Sequence, residues 1–416
     1  MSFMQQIFHN AKFNSMTESV SDFEAMLVND GVIVFAGTNE EILNMKTDDH
    51  EVVDLKGKEV YPSFFDVDSS IYDLIETNLK NAKKFKYIEN PDDFDENFEK
   101  FDNYDIYKKE FLKIQKEFLL KGITTVQELY MGSKEFTFWK KLADEKALIL
   151  NVIGYVDIIN SKVVMDNNCR SYRKYKNGFR LGGYSFAIDG ELSRKEAWVQ
   201  KSYKREKGYV GYSELFDEQL SYLIKTALEE KKQLVVETNG DRAVDQFLRC
   251  FEEVKTKEKV EDVFRPIALK CNLLSKKQLL KMKELGIVPS FQTSDLIEKH
   301  DALVKAIGRI QCKKIQPLAL AEKFGLKFLI QSNRKQVANG FEIIENLNSG
   351  KLSKCQTLTE STLFNVIYSN TAYAMFDQEQ KGSLENGKQA TFVVLDESGK
   401  IDEVYVCGEK IKNNVV

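Results

Sequence analysis

Eight short apolar runs, separated by segments with a helical apolar period, fill the chain between residues 60 and 347. The runs are 60–65, 123–126, 148–156, 180–188, 234–237, 266–271, 287–291 and 327–331. Helical segments are read at 136–146, 216–231, after Gly240-Asp241, and at 276–285, 317–324 and 337–347. Alternation of this kind commits a chain to an α/β fold with a parallel sheet. Eight repeats are the number that closes a (β/α)8 TIM barrel. Such barrels hold their chemistry at the carboxyl ends of the strands. Residues at those ends are therefore the candidates, beginning with Asp66, Asp68 and Ser70 after the first run.

The two ends of the chain are read differently. Residues 25–28 and 32–36 flank Asn29-Asp30-Gly31, a hairpin signal whose turn residues accept positive φ. A further short strand is read at 52–55. After a helix at 357–376, strands at 392–395 and 404–407 are joined by a Ser398-Gly399 turn. The expectation is a small composite β-sandwich from residues 1–58 and 376–416, beside a barrel over 59–375. Residues 71–120 interrupt the alternation with Lys, Asp, Glu, Asn and Phe, and turn helical over 107–120. Asp92, Asp93, Asp95 and Glu96 lack the alternating ligands and turn glycine of a calcium loop. The stretch reads as a solvated helical insertion or lid.

Composition narrows the function classes. Hydrophobic residues are 43% of 416, enough for a large core, and the net charge of −4 leaves no footprint for nucleic acid or an anionic membrane. No run reaches transmembrane length and the first residues have no signal-peptide pattern, so a cytoplasmic protein is expected. Six widely spaced cysteines without C-x-x-C fit reduced thiols. The three histidines, His9, His50 and His300, lie in separate segments, and none ends a strand placed in the barrel. A metal site built mainly of imidazoles has little to draw on.

Several segments, in order, resemble a known family. GKEVYPSFFDVDSS resembles a first strand in which Pro-Gly-Phe-x-Asp leads to His-x-His. LGGYSFAIDG resembles a strand ending in a metal-bridging lysine and Asp-Gly. LVVETNGDRAVD resembles His-x-x-Gly-Asp-Arg-Ala, RPIALKCNLL resembles Arg-x-x-x-x-His, and VPSFQTS resembles Ser-x-Gln. LKFLIQSN resembles the Gly-Ser-Asp that carries the catalytic aspartate, and GSLENGKQATFVVLD the return into the terminal β domain. Together they resemble the TIM-barrel amidohydrolase superfamily, in its branch called amidohydrolase family 3.

The resemblance implies metal-dependent hydrolysis, with histidines, a carboxylated lysine and an aspartate around one or two ions such as zinc, and a homodimer. The positions it maps carry other residues here. The His-x-His pair falls on Asp68 and Ser70, the bridging lysine on Ser185, the later histidines on Glu237 and Lys270, and the aspartate on Asn333. Serine is a poor zinc ligand and cannot form a carbamate. Lysine puts a cation where a cation would bind, and asparagine cannot take a proton from water. The expectation is a protein that holds no metal and has lost the reaction. It would keep a pocket for a small molecule, with Asp66, Asp68, Asp189, Glu237, Lys270, Gln292 and Asn333 as its candidate lining, or serve a regulatory role. Lys270 is expected to pair with Asp68, Glu237 or both. The alternative is a working hydrolase of carbon–nitrogen bonds other than peptide bonds, using Asp68 and Glu237 with a hard metal or Lys270 toward an oxyanion.

Other features carry plainer readings. Asp241-Arg242 is read as a helix N-terminus, Asp189-Gly190 as a strand-end turn and Cys271 as wall packing. Tyr184 and Phe186 are read as facing the helical layer, and His300 as a loop residue.

Overall fold

The computed structural model describes residues 5–17, 22–81, 104–260, 264–331, 337–349 and 353–412. The acidic cluster at 92–96 lies outside them. In chain order the strands are β1 (Gln5–Phe13), β2 (Ala25–Asn29), β3 (Val32–Gly37), β4 (His50–Pro62), β5 (Phe64–Asp66), β6 (Ile123–Met131), β7 (Asn151–Asp157) and β8 (Phe179–Ala187). There follow β9 (Gln233–Thr238), β10 (Ile267–Lys270), β11 (Val288–Phe291), β12 (Leu329–Ile330), β13 (Phe392–Leu395), β14 (Ile401–Val406) and β15 (Glu409–Lys410).

β5 to β12 form one eight-stranded sheet in chain order, and every pairing in it is parallel. It curls into a TIM-barrel-like body. Ile153, Tyr155, Val235, Ile267, Leu269, Val288 and Leu329 pack together on its inner face. The other face carries Val152, Tyr184, Phe186, Leu234 and Val236 into the core shared with the helices. Both faces are buried, which is why these strands read as unbroken apolar runs. The helix Asp241–Lys257 shows the complementary pattern, burying Ala243, Val244, Phe247, Leu248, Phe251 and Val254 along one stripe. β5 and β12 are the two ends of the sheet. Near β5 the helix Gly340–Asn348 comes close: a Cβ on Gly340 would lie 2.5 Å from the Phe64 ring.

The chain ends form a second, separate sheet of seven strands, ordered β15-β14-β13-β4-β1-β2-β3. The expected Asp30-Gly31 turn is there, with both residues at positive φ (48° and 76°). In place of the expected sandwich, the hydrogen-bonded strands make one continuous sheet. Ala390 donates to the Gly31 carbonyl and Val32 bridges Gln389, so the sheet curls over its own core of Phe8, Phe13, Phe392 and Tyr405.

The run at 60–65 is not one barrel strand. Residues 60–62 end β4 and pair with β13, whereas β5 begins at Phe64 and pairs with β6. The change of partner falls between two amides: Ser63 N–H donates to the Thr391 carbonyl and Phe64 N–H to the Gly122 carbonyl. Apolar character is the same on both sides of that step, so periodicity could not mark it. No helix among the described residues is long and apolar enough to cross a membrane.

The amino end of the barrel is closed by residues 373–381. Arg180 reaches Asp377 at 3.0 Å, Tyr175 donates to the same carboxylate at 2.8 Å, and Lys381 donates to Thr125 Oγ1 at 2.7 Å. Burial pulls the Lys381 amine down to about 8, against the raising pull of Asp377. Between pH 8 and the unfolded value of 10.5 the unfolded chain therefore binds more protons, and stability rises with pH across that window. Relative to Lys381→Met, the wild type should gain up to roughly 3 kcal/mol between pH 7.5 and 10.5 in urea unfolding. A difference that does not change with pH would contradict this.

Candidate functional site

The strand ends that the sequence singled out do meet at one end of the barrel. Their backbone is unusual: Asp68, Ser70, Tyr130, Lys270 and Cys271 all have φ between 37° and 67°. Each such non-glycine residue costs on the order of 1–3 kcal/mol and persists only where the surroundings enforce it.

Glu237, near the end of β9, is the hub. Its Oε1 lies 3.4 Å from Lys270 Nζ and accepts from Asn239 Nδ2 at 3.0 Å. Its Oε2 accepts from the Tyr130 hydroxyl at 2.8 Å. Asn272 donates to Asn239 Oδ1 at 2.9 Å, and Gln316 to Asn272 Oδ1 at 2.7 Å. A chain of hydrogen bonds thus runs from Gln316 to Tyr130 across three strand ends. Lys270, Asn239 and Asn272 also line a pocket of about 10 Å³, enough for one water, with Glu191 and Ser193. Burial pulls the Glu191 carboxyl up, but Lys299 beside it and Lys270 nearby hold it below the usual range.

Ser185 points its hydroxyl at backbone. It accepts from Tyr130 N–H at 2.8 Å and donates to the Tyr155 carbonyl at 3.2 Å. The register of β6 against β7 shifts between Glu128 and Met131, and this hydroxyl takes the amide that the irregularity leaves over. Asp189 is likewise engaged with backbone. It accepts from Asn239, Trp198 and Gly240 N–H at 2.7–2.8 Å, and burial pushes it up to about 8 against those lowering donors. It therefore fixes the turn into the helix Asp241–Lys257 in addition to ending its own strand.

Asp66 ends β5 and Asp68 follows it, both buried, and the Asp66 carbonyl accepts from Ser69. Ser70 precedes the helix Ile71–Asn81, and its carbonyl accepts from Leu74. Gln292 and Gln331 follow β11 and β12, and Gln331 N–H donates to the Phe291 carbonyl at 2.8 Å, which sets the two side by side. Among the described residues, Gln292 Oε1 and both polar side-chain atoms of Gln331 are buried without a hydrogen-bond partner. Asn333 lies outside the described residues.

Of the expected pairs, the one with Glu237 forms. Tyr184 and Phe186 face the helices, and Cys271 is fully buried beside Thr238 with burial pushing its thiol up to about 12. Asp241 opens its helix and Arg242 stacks on Trp198. His300 begins the helix His300–Ile307 where a loop was expected, because the segment after β11 is helical.

Sequence reasoning missed Tyr130, Glu128, Asn239, Asn272 and Gln331. Glu128 accepts from Ile71 and Tyr72 N–H, which places a carboxylate at the start of that helix. A glutamine and a glutamate inside the run TTVQELYM were the available signal.

The profile described as the amidohydrolase family matches residues 104–414. The chain belongs to the amidohydrolase family. Solved structures agree on the fold. An uncharacterised metal-dependent hydrolase from Pyrococcus horikoshii OT3 superposes with TM-score 0.79 at 18% identity, over 98% of this chain and 100% of that one. One from Pyrococcus furiosus gives 0.76 at 18%, over 94% and 99%. An adenosine deaminase from Xanthomonas campestris with bound zinc gives 0.63 at 11%, over 98% and 92%. No curated protein matches the chain.

The family is typically metal-dependent, so the fit of a metal was tested on the donor set. Among the described residues no three His, Cys, Asp or Glu side chains converge as a metal site requires. Glu237 is engaged by Lys270, Tyr130 and Asn239, and Ser185 by two backbone groups. The described side chains of this family member do not by themselves form a zinc site.

Proposed function

We propose that this amidohydrolase-family chain has given up metal-dependent hydrolysis and uses the strand-end pocket to bind a small molecule, or to act in regulation. The observation that carries the reading is the Lys270–Glu237 pair. An ammonium 3.4 Å from the carboxylate supplies the positive charge that a metal would otherwise bring to the strand ends. The partner in this reading is a small molecule, not nucleic acid or a membrane, in keeping with the net charge of −4. A cytoplasmic location and a homodimer belong to the same proposal.

A second reading is favoured by family membership together with two buried carboxylates, Asp68 and Glu237, at the strand ends. It is a hydrolase of non-peptide carbon–nitrogen bonds with a rearranged site. Elemental analysis separates the two. Protein produced with added zinc and dialysed should retain less than about one zinc per ten chains, and chelator should change no property of it. One tightly held ion per chain, or amide hydrolysis abolished by chelator, would overturn the first reading.

A further inference from the structure

We infer that the amino end of the barrel, opposite the strand-end pocket, carries a binding site for the phosphate chain of a di- or triphosphate. The inference stands apart from the pocket reading. Tyr172 and Arg173 precede β8, Lys232 precedes β9, Arg265 precedes β10 and Lys327 precedes β12. They meet Tyr373 and Phe376 of the closing segment in one row of cations and rings. Lys232 Nζ lies 4.0 Å from the centre of the Tyr172 ring, and Arg173 Cζ lies 4.9 Å from that ring and 3.2 Å from Phe376. Arg265 Cζ lies 4.3 Å from Phe376 and 3.8 Å from Tyr373, and Lys327 Nζ lies 5.0 Å from Tyr373.

The positive charge of this row is uncompensated. Among the described residues none of Lys232, Arg173, Arg265 and Lys327 forms an ion pair. Asp377 is engaged by Arg180, Tyr175 and Lys381, Glu379 accepts from Gln378, and Glu230, two residues before Lys232, is engaged by Lys162 and Tyr184. A ring face attracts a cation without accepting an ordinary hydrogen bond from it. Arg173 Nε and Nη2 are accordingly buried with no acceptor among the described residues. Burial, aided by Arg180 and Arg265, pulls the Arg173 guanidinium below its usual range, against Tyr172 and Tyr155. Arg173, Arg265 and Phe376 also share a positive φ of 54°, 46° and 58°, a conformation that persists only where the surroundings enforce it. Holding the closing segment to the barrel accounts for the ring contacts, but not for cations gathered without a carboxylate.

The form of the row selects the anion. Lys232, Arg173 and Arg265 are half-buried and Lys327 is exposed, so the row is open to solvent. Arg173 and Arg265 each touch two rings, which sets the four charges in series. One orthophosphate meets a part of such a series. A chain of phosphates meets it along its length, with guanidinium forks donating to paired phosphate oxygens. Each ring is already in contact with two cations, so recognition falls on the phosphates. That chemistry is shared by inorganic pyrophosphate and by nucleoside di- and triphosphates, and the test separates them.

The test is calorimetric titration of the native protein with pyrophosphate, triphosphate, ADP and orthophosphate, free of divalent metal. Pyrophosphate and triphosphate should bind at least about tenfold tighter than orthophosphate, and more weakly as added salt screens the charges. Arg173→Gln should weaken pyrophosphate binding by about tenfold or more, the loss of a charge-assisted hydrogen bond. Lys232→Gln and Lys327→Gln combined, which change less buried groups, should weaken it by about threefold to tenfold and serve if Arg173→Gln does not fold. Lys270→Met, at the opposite end of the barrel, should leave it unchanged. ADP binding as tightly as pyrophosphate supports recognition of the phosphate chain alone, and tighter binding of ADP assigns the site to a nucleotide. No di- or triphosphate bound at about 1 mM, binding unchanged in the arginine and lysine variants, or binding lost in Lys270→Met would overturn the inference. Orthophosphate binding as tightly as pyrophosphate would overturn the assignment to a phosphate chain.

Discussion

Asp377→Ala should lower stability by about 3–5 kcal/mol, read as a large fall in the urea midpoint, because it strands two buried cations. The carboxylate is 3% exposed and lies 3.0 Å from Arg180 and 3.9 Å from Lys381, with Tyr175 donating to its second oxygen. Arg180, itself 1% exposed, would keep only the Met375 carbonyl and the face of Tyr175. Most of the loss is desolvation of charge left without its counter-charge. Replacing Arg180 and Asp377 together by Met and Leu should therefore recover a large part of it. A single-variant loss below about 1 kcal/mol would mean that this cluster does not hold the C-terminal segment to the barrel.

The second large effect is an asymmetry within the Glu237–Lys270 pair. Glu237→Gln leaves Lys270 buried without its paired carboxylate and should cost about 3 kcal/mol. Lys270→Met leaves Glu237 with the Tyr130 hydroxyl and the Asn239 amide, and should cost about 1–2 kcal/mol. The double variant should be close to Lys270→Met alone, giving a coupling of about 3 kcal/mol in magnitude, the whole cost of Glu237→Gln, in a double-mutant cycle. Urea unfolding of the four proteins measures it. Equal single-variant losses that add would show that the two groups do not interact, and the electrostatic argument for the pocket would fall with them.

How far the site could be read beforehand differs residue by residue. Glu237 and Lys270 were legible because the family resemblance maps its later histidines onto them. Ser185 was legible as a departure from a motif, but its use was not: the hydroxyl serves the Tyr130 amide, and that need arises from a register shift in a different strand. Tyr130 itself sits within a run of mixed residues, and nothing local announces its positive φ or the hydrogen bond of its hydroxyl to Glu237. Asp189 looked like a turn residue and turned out to gather three amides from two other segments.

The fold divides in the same way. Alternating apolar runs and amphipathic segments determined a parallel sheet wrapped by helices, and Asp30-Gly31 determined a hairpin, because both follow from local backbone preference and from which faces must be covered. The residues onto which the resemblance maps the family's ligands are likewise read from the chain alone. The point at which the backbone leaves one sheet for the other, the single curled sheet made from both ends, and the hydrogen-bonded row from Gln316 to Tyr130 were decided only in three dimensions. Each depends on which distant group meets a given amide, carbonyl or side chain, and that choice is made by packing across the whole molecule, not by the neighbours in sequence.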